Sequence, residues 1–145
     1  MADAFCHALM EGKANEVETL FTAYMEKTIS IRDTFVRKSI KENFYHGILL
    51  GILSYKGGWY VTSNRESGDG FSDIMVRIDD EDVGIIIEVK YAENGKEEEM
   101  SRKALLQIHE KHYEKVLLDE DIHKVMKYGI ACNKKKCKVS MEISE

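Results

Sequence analysis

The chain has 145 residues, a formal net charge of −5, 43% hydrophobic and 32% charged side chains, and no proline. This is the balance of an ordinary soluble globular protein, of a length for one domain with a real core. The longest apolar run, GILLGIL, is far too short to span a bilayer, and MADAFCHALMEG lacks the basic and apolar regions of a signal peptide. Three cysteines, few and odd in number, suit free thiols in a reducing compartment, so a cytoplasmic location with no membrane partner is expected.

The N-terminal third reads as helical. NEVETLFTAYMEKT offers Asn15 as an N-cap and sets Val17, Leu20, Phe21, Tyr24 and Met25 at helical spacing. A second helix is expected from Ser39 to Tyr55, with Phe44, Ile48, Leu49, Ile52 and Leu53 as its apolar stripe. Its opening, SIKE, is a capping-box pattern in which Ser39 caps and Glu42 reaches back three residues. Lys56-Gly57-Gly58 ends that helix.

Three strands follow on short connections. WYVTS alternates, ESGDGFS is a glycine-bearing turn, DIMVRI is a strand, DDEDVG a tight polar turn, and IIIEVKYA a third strand. An antiparallel meander is the natural arrangement. A long helix is then expected over 96–118, with Ala104, Leu105, Ile108, His112 and Lys115 near one stripe. YGIAC reads as a strand, and NKKK turns it into a last one, CKVSMEI. A strand that follows a long crossover helix usually pairs parallel to its neighbour. The order is ααβββαββ.

Charge is segregated along the chain. Residues 124–138 hold six lysines and no acidic residue, whereas acid is concentrated at 79–82 and 97–99. An acidic total argues mildly against nucleic-acid binding, yet this segregation permits a basic working face. Lys134, Lys135 and Lys136 are the candidate phosphate contacts, against the plainer reading of a solvated hairpin tip. Cys132 and Cys137, with no second pair nearby in sequence, read as two thiols on neighbouring strands rather than a zinc site.

In the third strand, Glu88 and Lys90 are two residues apart and so share one face. If DDEDVG closes a hairpin, Asp73 at the start of the second strand meets Glu88 near the end of the third. Two converging carboxylates repel unless a cation lies between them, and a hard divalent ion such as Mg²⁺ or Mn²⁺ takes oxygen ligands. Lys90 then positions or helps deprotonate an attacking water, or offsets charge on a phosphoryl group. These are the ingredients of metal-assisted phosphodiester hydrolysis. The plainer reading is a solvated strand end with a cross-strand ion pair.

Asp73 followed by EVK at 88–90, with the blocks ENFYHGILLGIL, ESGDGFSD, IIIEVK and ALLQIHEKHY in this order, resembles the PD-(D/E)XK nuclease superfamily. More narrowly, it is similar to a bacterial branch usually fused to an AAA-ATPase-like domain. The resemblance covers roughly residues 38–138. It implies an α/β (α+β) restriction-endonuclease-like αβββαβ core, a mixed central sheet flanked by helices, with an extra N-terminal helix. On this basis residues 1–37 form a helical extension and 38–145 the nuclease-like domain.

Carried over by position, the resemblance implies Asp73 and Glu88 as metal ligands, the Val89 carbonyl as a further one, and Lys90 as the catalytic lysine. It also implies catalytic support from Gln107 on the long helix and from Glu42 on the first core helix. Tyr113 matches a recurrent tyrosine, and His46, one turn after Glu42, is a further supporting candidate whose plainer reading is a packed core histidine. Ser72 stands where the superfamily's nominal proline would be, and Phe71 where this branch usually has an arginine. The implied activity is a Mg²⁺- or Mn²⁺-dependent nuclease acting on DNA in preference to RNA. Its implied partners are nucleic acid, an AAA-ATPase-like domain and a second copy in a homodimer. The alternative is a catalytically inactive module of the same fold that binds nucleic acid or a partner protein.

Overall fold

The computed structural model describes residues 2–28, 38–66, 70–111 and 113–145. Three helices come first: α1 (Ala2–Glu11), α2 (Ala14–Thr28) and α3 (Lys38–Ser54). Strands β1 (Tyr60–Glu66), β2 (Gly70–Ile78) and β3 (Val83–Tyr91) follow, then α4 (Glu97–Lys111), α5 (Tyr113–Asp119), β4 (Lys124–Asn133) and β5 (Lys136–Ser144). The strands form one sheet in the order β1-β2-β3-β4-β5, parallel only between β3 and β4. The expected α+β architecture, mixed sheet and parallel crossover are therefore present.

β3 explains why three isoleucines stand in a row. Helices cover both faces of the sheet, so alternate positions are buried on opposite sides. Ile85, Ile87 and Val89 join the larger core with Phe5, Leu9, Phe21, Met25, Leu49 and Leu53 from α1–α3. Ile86 faces the other way, packing with Ile108, Leu117, Ile122 and Val125. Ile85, Ile86 and Ile87 are each 0% exposed, and burying one contributes roughly 1.5–3 kcal/mol.

Several local expectations shift. α1 lies outside the expected elements, because Phe5, Cys6, Ala8 and Leu9 give too short a stripe to stand out without the surface they cover. α2 begins at Ala14, so Asn15 lies inside the helix and its carbonyl accepts the Thr19 hydroxyl at 2.9 Å. On α3 Leu49, Ile52 and Leu53 are buried as expected and Ile48 packs beside them, but Tyr45 and His46 extend the buried face while Phe44 is 39% exposed. Lys115 does not share the inward stripe of Ala104 and Ile108; it is exposed, and Leu117 takes the buried position. The side chains of Ser39, His112 and Tyr113 lie outside the described ones.

The basic run also divides. Lys127 is 1% exposed and turned inward, its Nζ donating to Glu114 at 3.0 Å, and Lys138 pairs with Glu18 at 3.4 Å. Lys127 shares the face of Val125, which α4 and α5 cover, whereas Lys138 stays exposed on the edge strand β5. Lys134 and Lys136 at the hairpin remain exposed.

Candidate active site

The turn between β2 and β3 sets the register of everything beyond it. Residues 79–81 form a single 3₁₀ turn, and Asp82 closes it in the left-handed region at φ 55°. From there Ile78 pairs with Val83, and the ladder runs without a slip to Asp73 opposite Glu88. That last pair lies on the α4 face, and both residues are buried, at 0% and 1% exposure. Directly opposed residues have Cβ atoms about 4.5–5.5 Å apart, so the two carboxyl groups share one small space.

The sheet changes course at this pair. On β2, Ser72 is an extra residue between Phe71, opposite Arg65, and Asp73, opposite Asn64. Such a bulge bends its strand and sharpens the local twist. β3 runs on beyond Glu88 through Val89, Lys90 and Tyr91 paired only with β4. The opening between diverging β2 and β3 thus begins at the two carboxylates. Lys90 lies just past it on the same face, with Nζ 3.9 Å from Glu88 Oε1 and its side chain 20% exposed.

Helix α4 roofs this face. Its buried residues Ser101, Ala104 and Ile108 lie against the sheet, and Ser101 meets Ser140 of β5 at 2.8 Å. His109 reaches Glu142 of β5 at 2.6 Å, which marks the β5-facing flank of the helix. At 100° per residue Gln107 falls on the opposite flank, half-buried, toward the β2–β3 side where the carboxylates lie. The helix can come this close because residue 129, opposite Glu88, is glycine.

On the other side, α3 grips the end of β3. Glu42 Oε2 accepts the Tyr91 backbone N–H at 2.9 Å, so its carboxylate bridges α3 to β3. Lys41 Nζ lies 4.4 Å from the Tyr91 ring centroid and 3.4 Å from its hydroxyl. Asn133 donates to the Ala92 carbonyl at 2.8 Å, while Ala92 N–H donates to the Cys132 carbonyl at 2.8 Å. The Tyr45 hydroxyl donates to the Lys134 carbonyl at 2.8 Å, tethering the lysine-rich hairpin tip to α3. Lys41, Tyr91 and Asn133 carry no local signal in the sequence, because their roles arise from contacts 42 to 50 residues apart.

His46 is held elsewhere. It is 2% exposed, its Nε2 lies 2.8 Å from Ser63 Oγ on β1, and burial lowers its pKa to about 4. That is the environment of a neutral core histidine.

The donor set fits a hard divalent cation. Two buried carboxylates from adjacent strands supply anionic oxygens, which suit Mg²⁺ or Mn²⁺ better than softer metals. Among the described residues no three His, Cys, Asp or Glu side chains are grouped to hold a metal alone, so a bound ion would need backbone oxygen and water as well. No described helix is long and apolar enough to cross a membrane.

This arrangement is that of a nuclease fold, and sequence comparison agrees. The profile of the PD-(D/E)XK nuclease superfamily matches residues 40–142, and the chain belongs to that superfamily. No curated protein and no solved structure matches the chain.

Proposed function

We propose that the protein is a divalent-metal-dependent nuclease that hydrolyses phosphodiester bonds, its site built on Asp73, Glu88 and Lys90. The observation that carries this reading is the direct cross-strand pairing of the buried Asp73 and Glu88, with Lys90 next along the same face. Superfamily membership supports it, since these folds generally house nuclease hydrolases.

Asp73 and Glu88 hold the metal, with the Val89 carbonyl as the backbone ligand where β3 leaves β2. A bound Mg²⁺ or Mn²⁺ supplies Lewis-acid polarisation of the phosphate and makes water a better nucleophile at neutral pH. Lys90 orients the attacking water and offsets charge that develops on the phosphoryl oxygens. Gln107, from the roof helix, hydrogen-bonds water or phosphate at the same opening. Glu42 acts by fixing Tyr91, and through it the backbone on which Lys90 stands; His46 supports the fold through Ser63 of β1, and Tyr113 is a supporting residue on the family resemblance alone. Lys134, Lys135 and Lys136, at the same end of the sheet, contact the nucleic-acid backbone. DNA is placed ahead of RNA on the family resemblance alone, as are an AAA-ATPase-like partner and a homodimer. Within residues 1–37, helices α1 and α2 serve as an extension of the nuclease unit 38–145.

A second reading, an inactive module that binds nucleic acid or a partner protein, is favoured because no three His, Cys, Asp or Glu side chains are grouped to hold a metal among the described residues. Isothermal titration with Mn²⁺, run beside a cleavage panel of single- and double-stranded DNA and RNA, separates the two. Metal binding with cleavage lost in Asp73→Ala and Lys90→Ala supports the nuclease. Nucleic-acid binding indifferent to EDTA and to Lys90→Ala, with no cleavage, supports the module.

A further inference from the structure

The β4–β5 hairpin closes on a two-residue turn at 134–135, with Asn133 opposite Lys136 as its last pair. In such a hairpin the closing pair exchanges backbone hydrogen bonds, so the next pair outward is a non-hydrogen-bonded one. That pair is Cys132 opposite Cys137. Non-hydrogen-bonded partners have Cα atoms about 4.5 Å apart, within the span of a disulfide. Both side chains belong to the core beneath α1–α3, both are free thiols, and their sulfurs lie 2.9 Å apart. No backbone movement is needed to bring them to bonding distance beyond closing about 0.9 Å.

We propose that Cys132 and Cys137 form an oxidation site, converted by hydrogen peroxide into a disulfide that covalently closes the β4–β5 hairpin. One sulfur, as thiolate, attacks a peroxide oxygen; the O–O bond breaks, a sulfenic acid forms, and the other oxygen leaves as water. The second sulfur attacks the sulfenic sulfur, the S–S bond forms, and the hydroxyl leaves with that thiol's proton as a second water. Two thiols thus lose two electrons and two protons, and one peroxide becomes two waters. A peroxide is close to water in size, which suits a pair exposed by 0% and 7%. Burial, with Cys132 and Glu18 beside it, holds the Cys137 thiol well above its ordinary pKa, so reaction is slow and responds to sustained oxidant.

The position gives the bond a consequence. Cys132 lies opposite Tyr91 on β3, and its carbonyl accepts the Ala92 N–H. Asn133, next in sequence, donates to the Ala92 carbonyl. The hairpin therefore anchors the strand end that carries Lys90, and a cross-link there stiffens it.

The test uses the full chain, treated with hydrogen peroxide or left reduced, then alkylated and digested with trypsin without reduction. Lysines 134–136 lie between the two cysteines, so trypsin leaves two peptides joined only by the new bond. The expected result is that linked pair, released by reductant, with Cys6 alkylated. A higher melting temperature is expected for the oxidised chain, reversed by reductant and absent in Cys137→Ser. Three alkylated cysteines after oxidation, a disulfide through Cys6, or over-oxidation of the pair without a link each overturns the proposal. So does a linked chain that melts no higher, because the native hairpin would then not be the structure it closes. None of these readouts depends on nuclease activity.

Discussion

Gly129 stands directly opposite Glu88 in the β3–β4 ladder, and the backbone of α4 passes over it with no room for a side chain. A Cβ placed there would lie 2.1 Å from the Ser101 carbonyl oxygen and 2.6 Å from the Leu105 nitrogen. Both are backbone atoms in mid-helix and cannot swing away. The glycine therefore sets the height of the roof over the carboxylate pair.

Gly129→Ala is expected to lift α4 and destabilise the fold by about 3 kcal/mol, the upper end for overpacking a tight core. It should also weaken Mn²⁺ binding, because Gln107 moves with the helix. Gly57→Ala, with nothing within 4 Å of the added Cβ, is the control and should change stability by less than about 0.5 kcal/mol. Thermal melting of both variants checks this.

Asp73→Asn and Glu88→Gln should each make the metal-free protein more resistant to heat, since two buried carboxylates at one opening repel each other. Added Mn²⁺ should raise the melting temperature of the wild type, in proportion to its occupancy, and leave both variants unchanged. Differential scanning calorimetry in EDTA and in excess Mn²⁺ measures both effects. A variant that melts lower in EDTA would show that the carboxylates stabilise the fold rather than a bound ion.

The buried cation Lys127 gives an asymmetric prediction. Its Nζ has Glu114 at 3.0 Å and His109 Nδ1 at 3.4 Å, while His109 also meets Glu142. Glu114→Ala leaves a buried ammonium without its carboxylate and should cost about 3–5 kcal/mol. Lys127→Met removes the charge and keeps the volume; Glu114 is partly exposed and can turn to water, so the loss should be much smaller. Urea titrations of the two variants compare them.

His46 predicts the acid limb of stability. Burial lowers its pKa from 6.5 to about 4, so the unfolded chain binds its proton more readily than the native one between those values. Stability is then full above the unfolded value and falls as pH drops toward about 4, by up to roughly 3 kcal/mol. His46→Gln, which keeps a hydrogen-bonding group for Ser63, should flatten that slope. Urea unfolding across this pH range tests the sign as well as the size.

The sequence is most legible where short turns fix register. Six residues, DDEDVG, separate Ile78 from Ile85 and close one hairpin, and that hairpin puts Asp73 opposite Glu88. The isoleucine run and the parallel crossover follow from two-sided burial and a connecting helix. Contacts closed only by the folded chain were not legible. Glu42 looks like half of a capping box, yet its carboxylate meets Tyr91, 49 residues away. Lys127 looks like part of a solvated basic run, but both faces of β4 are covered and its partner comes from α5. In each case local pattern names the residue type and tertiary packing chooses its partner.

The most direct test of the central claim is Mn²⁺-dependent cleavage of DNA and RNA by purified protein, with Asp73→Ala and Lys90→Ala measured beside it at matched folding. The account predicts cleavage by the wild type that EDTA abolishes and that both substitutions reduce to background. Cleavage that persists in folded Asp73→Ala, or a wild type that neither binds Mn²⁺ nor cuts any substrate, would contradict it.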